Sequence, residues 1–214
     1  MISSSCAYLD HHQSFQGDVV QGEYESLGYS LTVFPSPGEK RFPLLLVLHG
    51  REGTGREYLE LWKGEAGRRN VMVLSPTRRR GYHNDFGDLK EFYELVDKIV
   101  EKYPVDKERI YLAGTSAGSL IAQWLVENRP SYWRGVILIS SPSNGSWISK
   151  MDFRSPALLF VHGARDPQSQ VEEIRQEIEI LKKKDIKVSL LIYPNGGHEQ
   201  RPEWSREIFN WIED

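Results

Sequence analysis

Seven apolar runs dominate the chain: Tyr29–Phe34, Pro43–His49, Val71–Ser75, Arg109–Thr115, Gly135–Ser140, Ala157–His162 and Val188–Tyr193. Most are near-continuous rather than alternating, the pattern of strands buried on both faces. From the second run onward they are separated by segments with helical spacing: Glu57–Arg68, Leu89–Lys102, Ala117–Asn128, Val171–Lys184 and, after the last run, Pro202–Ile212. Strand then helix, repeated, predicts an α/β fold with a mostly parallel sheet. Phe92, Leu95, Val96, Ile99 and Val100 form one apolar stripe, and Val171, Ile174, Ile178 and Leu181 another, so helices flank the sheet. Right-handed crossovers bring the C-terminal ends of the parallel strands to one edge, where ligands bind in open sheets. The chemistry is therefore expected just after strands.

A length of 214 residues fits one domain spanning 1–214, and no repeat or long linker divides it. The net charge of −3 provides no global positive field, which argues against nucleic acid as a partner. The single cysteine, Cys6, excludes an internal disulfide framework. The longest apolar run, Pro43–Leu48, is far short of a membrane span, so a cytoplasmic location is expected. The Ser3-Ser4-Ser5-Cys6 start also fits the remnant of a trimmed lipoprotein signal, although the usual leucine is missing. The oligomeric state has no signature.

Within Ile110–Ala122 an apolar strand meets Gly114-Thr115-Ser116-Ala117-Gly118 and then an apolar helix. A G-x-S-x-G pentapeptide arises by chance in about one chain in seven of this composition, so its strand-to-helix setting carries the weight. In that setting Ser116 is a nucleophile on a strained turn, and Gly114 and Gly118 let strand and helix approach closely. A serine hydroxyl needs a histidine to take its proton and a carboxylate to orient the histidine. His198 follows the last strand in the loop Pro194-Asn195-Gly196-Gly197-His198-Glu199 and is the best-placed base. His11, His12 and His83 lack a strand-end setting, and His162 belongs to a strand. Asp166, in the loop after Ala157–His162, is the candidate acid. The alternatives are that Asp166 caps the next helix, or that Asp152 or Asp185 takes its place. The amides of Arg51, after the His49-Gly50 turn, and of Ala117 are the natural oxyanion donors.

The elbow, the His49-Gly50 turn, the Gly163-Ala164-Arg165-Asp166 loop and Gly197-His198-Glu199 resemble the α/β-hydrolase superfamily from about Leu44 onward. The run Pro104–Gly114, and the mere 16 residues from Ser141 to Pro156 where a cap could be inserted, resemble the small capless carboxylesterases. These are grouped with phospholipases, dienelactone hydrolases and feruloyl-type esterases. Serine stands where dienelactone hydrolases carry cysteine. The resemblance implies hydrolysis of a small-molecule ester or thioester without cofactor or metal. Thioesterase or peptidase action by the same residues, and a non-catalytic scaffold that binds a ligand, are the alternatives.

Arg51, Arg78, Arg79, Arg80, Arg165 and Arg201 fall in loops of the predicted active edge. They would clamp a carboxylate or phosphate on an acidic substrate, unless Glu52, Asp85 and Glu199 neutralise them. Tyr82, Phe86 and Trp147 are candidates to line an aryl or acyl pocket.

Overall fold

The computed structural model describes residues 17–35, 39–78, 89–142 and 145–213. The strands are β1 (Asp18–Tyr24), β2 (Leu27–Val33), β3 (Phe42–Leu48), β4 (Met72–Arg78), β5 (Val105–Thr115), β6 (Gly135–Ile139), β7 (Ala157–Gly163) and β8 (Val188–Tyr193). The helices are α1 (Gly55–Arg68), α2 (Lys90–Lys102), α3 (Ala117–Asn128), α4 (Val171–Lys183) and α5 (Ser205–Glu213). One sheet holds the strands in the order β1-β2-β4-β3-β5-β6-β7-β8. The β1–β2 and β2–β4 pairs are antiparallel and every later pair is parallel.

The pleat of the parallel strands divides the core in two. Leu44, Leu46 and Leu48 of β3 join one apolar cluster with Phe92 and Val96 of α2, Ile121 and Leu125 of α3, and Ile174 and Leu181 of α4. Leu45 and Val47 face the other way, into a cluster with Trp62 of α1 and Ile208 and Phe209 of α5. Burial on both faces is why these strands read as continuous apolar runs. α1 starts with a capping box: Thr54 accepts from the Glu57 amide at 3.3 Å, and Glu57 accepts from the Thr54 amide at 2.8 Å.

Each anticipated strand and helix is present, with ends shifted by a few residues. The runs from Pro43 to Tyr193 bring the ends of β3, β5, β6, β7 and β8 to one edge, as the parallel pairing requires. β1 was not anticipated. Among the described residues between β6 and β7 the only regular element is a 3-10 turn, Trp147–Lys150, so no helix there covers the edge. No described helix is long and apolar enough to cross a membrane.

Candidate active site

Ser116 stands between the end of β5 and the first residue of α3, with φ 53° and ψ −117°. A side chain with positive φ is strained and persists only where the surroundings fix it. Here the Ser116 amide donates to the Ile139 carbonyl at 2.9 Å, and the Ser116 carbonyl accepts from the Ser119 amide at 2.9 Å. Two glycines make the turn possible. A Cβ on Gly114 would lie 2.4 Å from the Gly118 carbonyl oxygen, and one on Gly118 would lie 2.4 Å from the Leu48 carbonyl oxygen.

His198 Nε2 is 2.7 Å from Ser116 Oγ, and His198 Nδ1 is 2.8 Å from Asp166 Oδ2. With Asp166 ionised, Nδ1 carries the proton and donates it to the carboxylate, leaving Nε2 free to accept from the serine. The other carboxylate oxygen, Asp166 Oδ1, accepts from the amides of Gln168 at 2.8 Å and Ser169 at 3.3 Å. Asp166 thus closes its own loop while facing the histidine. It does not cap α4: Gln170 precedes that helix and makes no side-chain cap bond. Asp152 is engaged by Arg154 at 2.6 Å, and Asp185 lies in the turn after α4 with φ 61°.

The loops after β7 and β8 are stitched together along their main chains. Ala164 and Arg165 amides donate to the Tyr193 and Gly196 carbonyls at 2.9 and 2.8 Å. Further on, Thr115 Oγ1 donates to Gln200 Oε1 at 2.8 Å and Ser140 Oγ donates to the Glu199 carbonyl at 3.1 Å. These bonds tie the histidine loop back to β5 and β6. Arg201 pairs with Glu199 at 2.5 Å, and with the Gly197 amide it holds the Glu199 carboxyl below its ordinary range.

The His49-Gly50 turn abuts the serine, for a Cβ on Gly50 would be 3.8 Å from Ser116 Cβ. His49 is buried, and its Nδ1–H donates to the Gly50 carbonyl at 2.6 Å. Burial lowers its pKa from 6.5. The Ala117 amide is the first of α3 and has no intrahelical acceptor. It therefore lies at the positive end of the helix dipole, in the peptide unit that follows Ser116.

Trp147 is not a pocket wall. It is 1% exposed and packs in the core cluster with Met151 and Leu158, because the 3-10 turn folds it inward. Tyr82, Phe86, Arg79 and Arg80 lie outside the described residues, as does the Arg78 side chain. Of the other arginines, Arg201 is neutralised by Glu199, whereas Arg51 and Arg165 form no ion pair with a described residue. Sequence reasoning missed the buried hydroxyls of Ser119 and Ser141 and the amide of Gln123 behind the serine.

The family model of the prolyl oligopeptidase family matches residues 79–153 and 139–214. The chain belongs to this family. It is a serine hydrolase with the α/β-hydrolase fold. No curated protein matches it in sequence. Among solved structures it resembles an S-formylglutathione hydrolase from Staphylococcus aureus, at 14% identity and TM-score 0.73, over 92% of this chain and 97% of that one. A ferulic acid esterase aligns at 19% identity and TM-score 0.74, over 93% and 97%. A protein assigned as a dipeptidyl aminopeptidase IV from Bacteroides ovatus aligns at 14% identity and TM-score 0.79, over 94% of this chain but 36% of its own. At these identities the likeness is one of fold.

Proposed function

We propose that the chain is a serine carboxylesterase acting on small carboxylic esters through an acyl-enzyme on Ser116. The observation that carries this reading is the hydrogen-bonded line Asp166–His198–Ser116, with separations of 2.8 and 2.7 Å. Ser116 Oγ attacks the ester carbonyl carbon while His198 Nε2 takes its proton, and Asp166 stabilises the imidazolium. The amides of Arg51 and Ala117 receive the oxyanion. Collapse expels the alcohol with the proton from His198, and a water activated by the same nitrogen releases the acid.

The family match favours a second reading, cleavage of a peptide or other amide by the same residues. A preference for acidic esters would rest on Arg51 and Arg165. The test is hydrolysis of p-nitrophenyl acetate and butyrate, a matched thioester and a matched anilide by wild type and Ser116→Ala. Ester turnover absent from the variant supports the esterase. Faster anilide cleavage would move the reading to a peptidase, and no turnover by folded wild type would leave a ligand-binding scaffold. Equal rates for neutral and carboxylate-bearing esters of one size would remove the acidic preference.

A further inference from the structure

Behind Ser116, three buried side chains form a line that the proton transfers do not use. Gln123 Nε2 of α3 donates to Ser141 Oγ at 2.9 Å, and Ser141 Oγ lies 3.0 Å from Ser119 Oγ. Ser119 Oγ in turn donates to the Ser116 carbonyl at 2.5 Å. Gln123, Ser119 and Ser141 are each at most 2% exposed.

Proton bookkeeping gives this line a direction. A hydroxyl has one proton, and that of Ser119 goes to the carbonyl, which has none to offer. The contact between the two hydroxyls therefore requires Ser141 to donate to Ser119, in preference to its longer 3.4 Å approach to the Pro142 carbonyl. Ser141, its own proton spent, accepts from the Gln123 amide. Turning that amide over would present Gln123 Oε1 to Ser141, which could not donate to both partners. Of the side-chain polar atoms in the line, the order Gln123 to Ser141 to Ser119 to Ser116 C=O leaves only Gln123 Oε1 without a hydrogen-bond partner among the described residues.

The carbonyl at the end of the line shares a peptide unit with the Ala117 N–H. An amide whose oxygen accepts hydrogen bonds becomes a stronger donor at its nitrogen, and successive bonds pointing the same way reinforce one another. We propose that Gln123, Ser141 and Ser119 are positioning residues that fix and polarise the Ser116–Ala117 peptide, so that its N–H binds the oxyanion more strongly. This rests on the esterase reading, in which Ala117 N–H is an oxyanion donor. Ser141 also serves the acid, because its carbonyl accepts from Ser169 Oγ at 3.0 Å and the Ser169 amide binds Asp166. Gln123 has no such second attachment and gives the cleaner test.

Gln123→Leu and Ser119→Ala are compared with wild type, with active sites titrated by a fluorophosphonate. An effect confined to the tetrahedral state lowers kcat at constant KM. The expected loss is about threefold to tenfold, the size of one buried hydrogen bond. Affinity for an alkyl trifluoromethyl ketone, whose hemiketal presents an oxyanion, should fall by the same factor. Affinity for the unreactive methyl ketone should hold. The double variant should lose little more than Ser119→Ala alone, since both cut one line. The Ala117 amide proton should move upfield in the resting enzyme, a readout that needs no turnover and stands even if the esterase reading fails. Wild-type kcat in both variants, equal losses for the two ketones, or an unmoved Ala117 proton would overturn the relay.

Discussion

Ser116 carries a local conflict, an L-residue at φ 53° and ψ −117° beneath the hydroxyl that His198 faces. The strain belongs to the backbone, so removing the hydroxyl alone does not relieve it, whereas removing Cβ does. Ser116→Gly should therefore be more stable than Ser116→Ala by about 1 kcal/mol, the lower end of what such a conformation costs. Urea midpoints of the two variants decide it, and equal midpoints would show the turn to be unstrained. His49 supplies a second prediction at this scale. Its folded pKa is lowered from 6.5 by burial, against the opposing effect of its bond to the Gly50 carbonyl. Between the two values the unfolded chain binds the proton and the native one does not, so stability is lost as pH falls below 6.5 and through the folded value. Wild type should lose more of its urea midpoint between about pH 7.5 and 5 than His49→Asn does. Parallel curves would place the acid sensitivity elsewhere.

At the scale of elements, the site depends on how closely β7 and β8 release their loops. A Cβ on Gly163 would lie 2.4 Å from the carbonyl carbon of Gly196 and from the carbonyl oxygens of Gly196 and Gly197. Gly163→Ala must part the two loops that carry Asp166 and His198. A displacement near 1 Å costs on the order of a hundredfold in rate, so kcat per titrated site should fall by about that much. Gly64→Ala in α1, where a Cβ meets nothing within 4 Å, is the control and should raise stability by up to about 1 kcal/mol. The same local view explains what the sequence disclosed. Strand ends followed by glycine turns carry Ser116, Asp166 and His198, and all three were legible because each sits at a break between an apolar run and a helix. β1 was not, because it is an edge strand with exposed and half-buried residues and an internal glycine. Gly22 pairs with Tyr29 of β2, whose ring fills the space of the missing side chain, a compensation visible only once the strands are paired. The start of β5 before Arg109 was hidden by Asp106, Lys107 and Glu108, a charged stretch that precedes the buried part of the strand. Trp147 looked like a pocket aromatic because nothing local shows that a 3-10 turn folds it inward. The Gln123–Ser141–Ser119 line joins α3 to the loop after β6, and no local spacing encodes it.

On the scale of the whole molecule, the choice between ester and amide depends on what surrounds the strand ends, since the proposed serine, histidine and aspartate would serve either bond. An amide leaves less readily, and the extra barrier is met by binding energy from parts of the substrate remote from the scissile bond. Among the described residues between β6 and β7, only the buried-tryptophan turn interrupts the open edge. On the proposed reading Ser116, His198 and Asp166 make and break the acyl bond, while the described residues supply few walls to grip a peptide on both sides of it. The 214-residue chain should therefore hydrolyse p-nitrophenyl butyrate with a kcat/KM at least ~10³-fold above that for the matched p-nitroanilide, a gap of ~4 kcal/mol in the transition state. The intrinsic difference in leaving groups contributes part of that gap, so a dipeptidyl anilide provides the sharper comparison. If adding a second residue to the anilide raises kcat/KM no more than a few-fold, remote binding is absent and the esterase reading stands. If it raises kcat/KM by orders of magnitude while the ester rate stays flat with acyl length, the edge holds peptide subsites and the family's peptidase chemistry is what this chain performs.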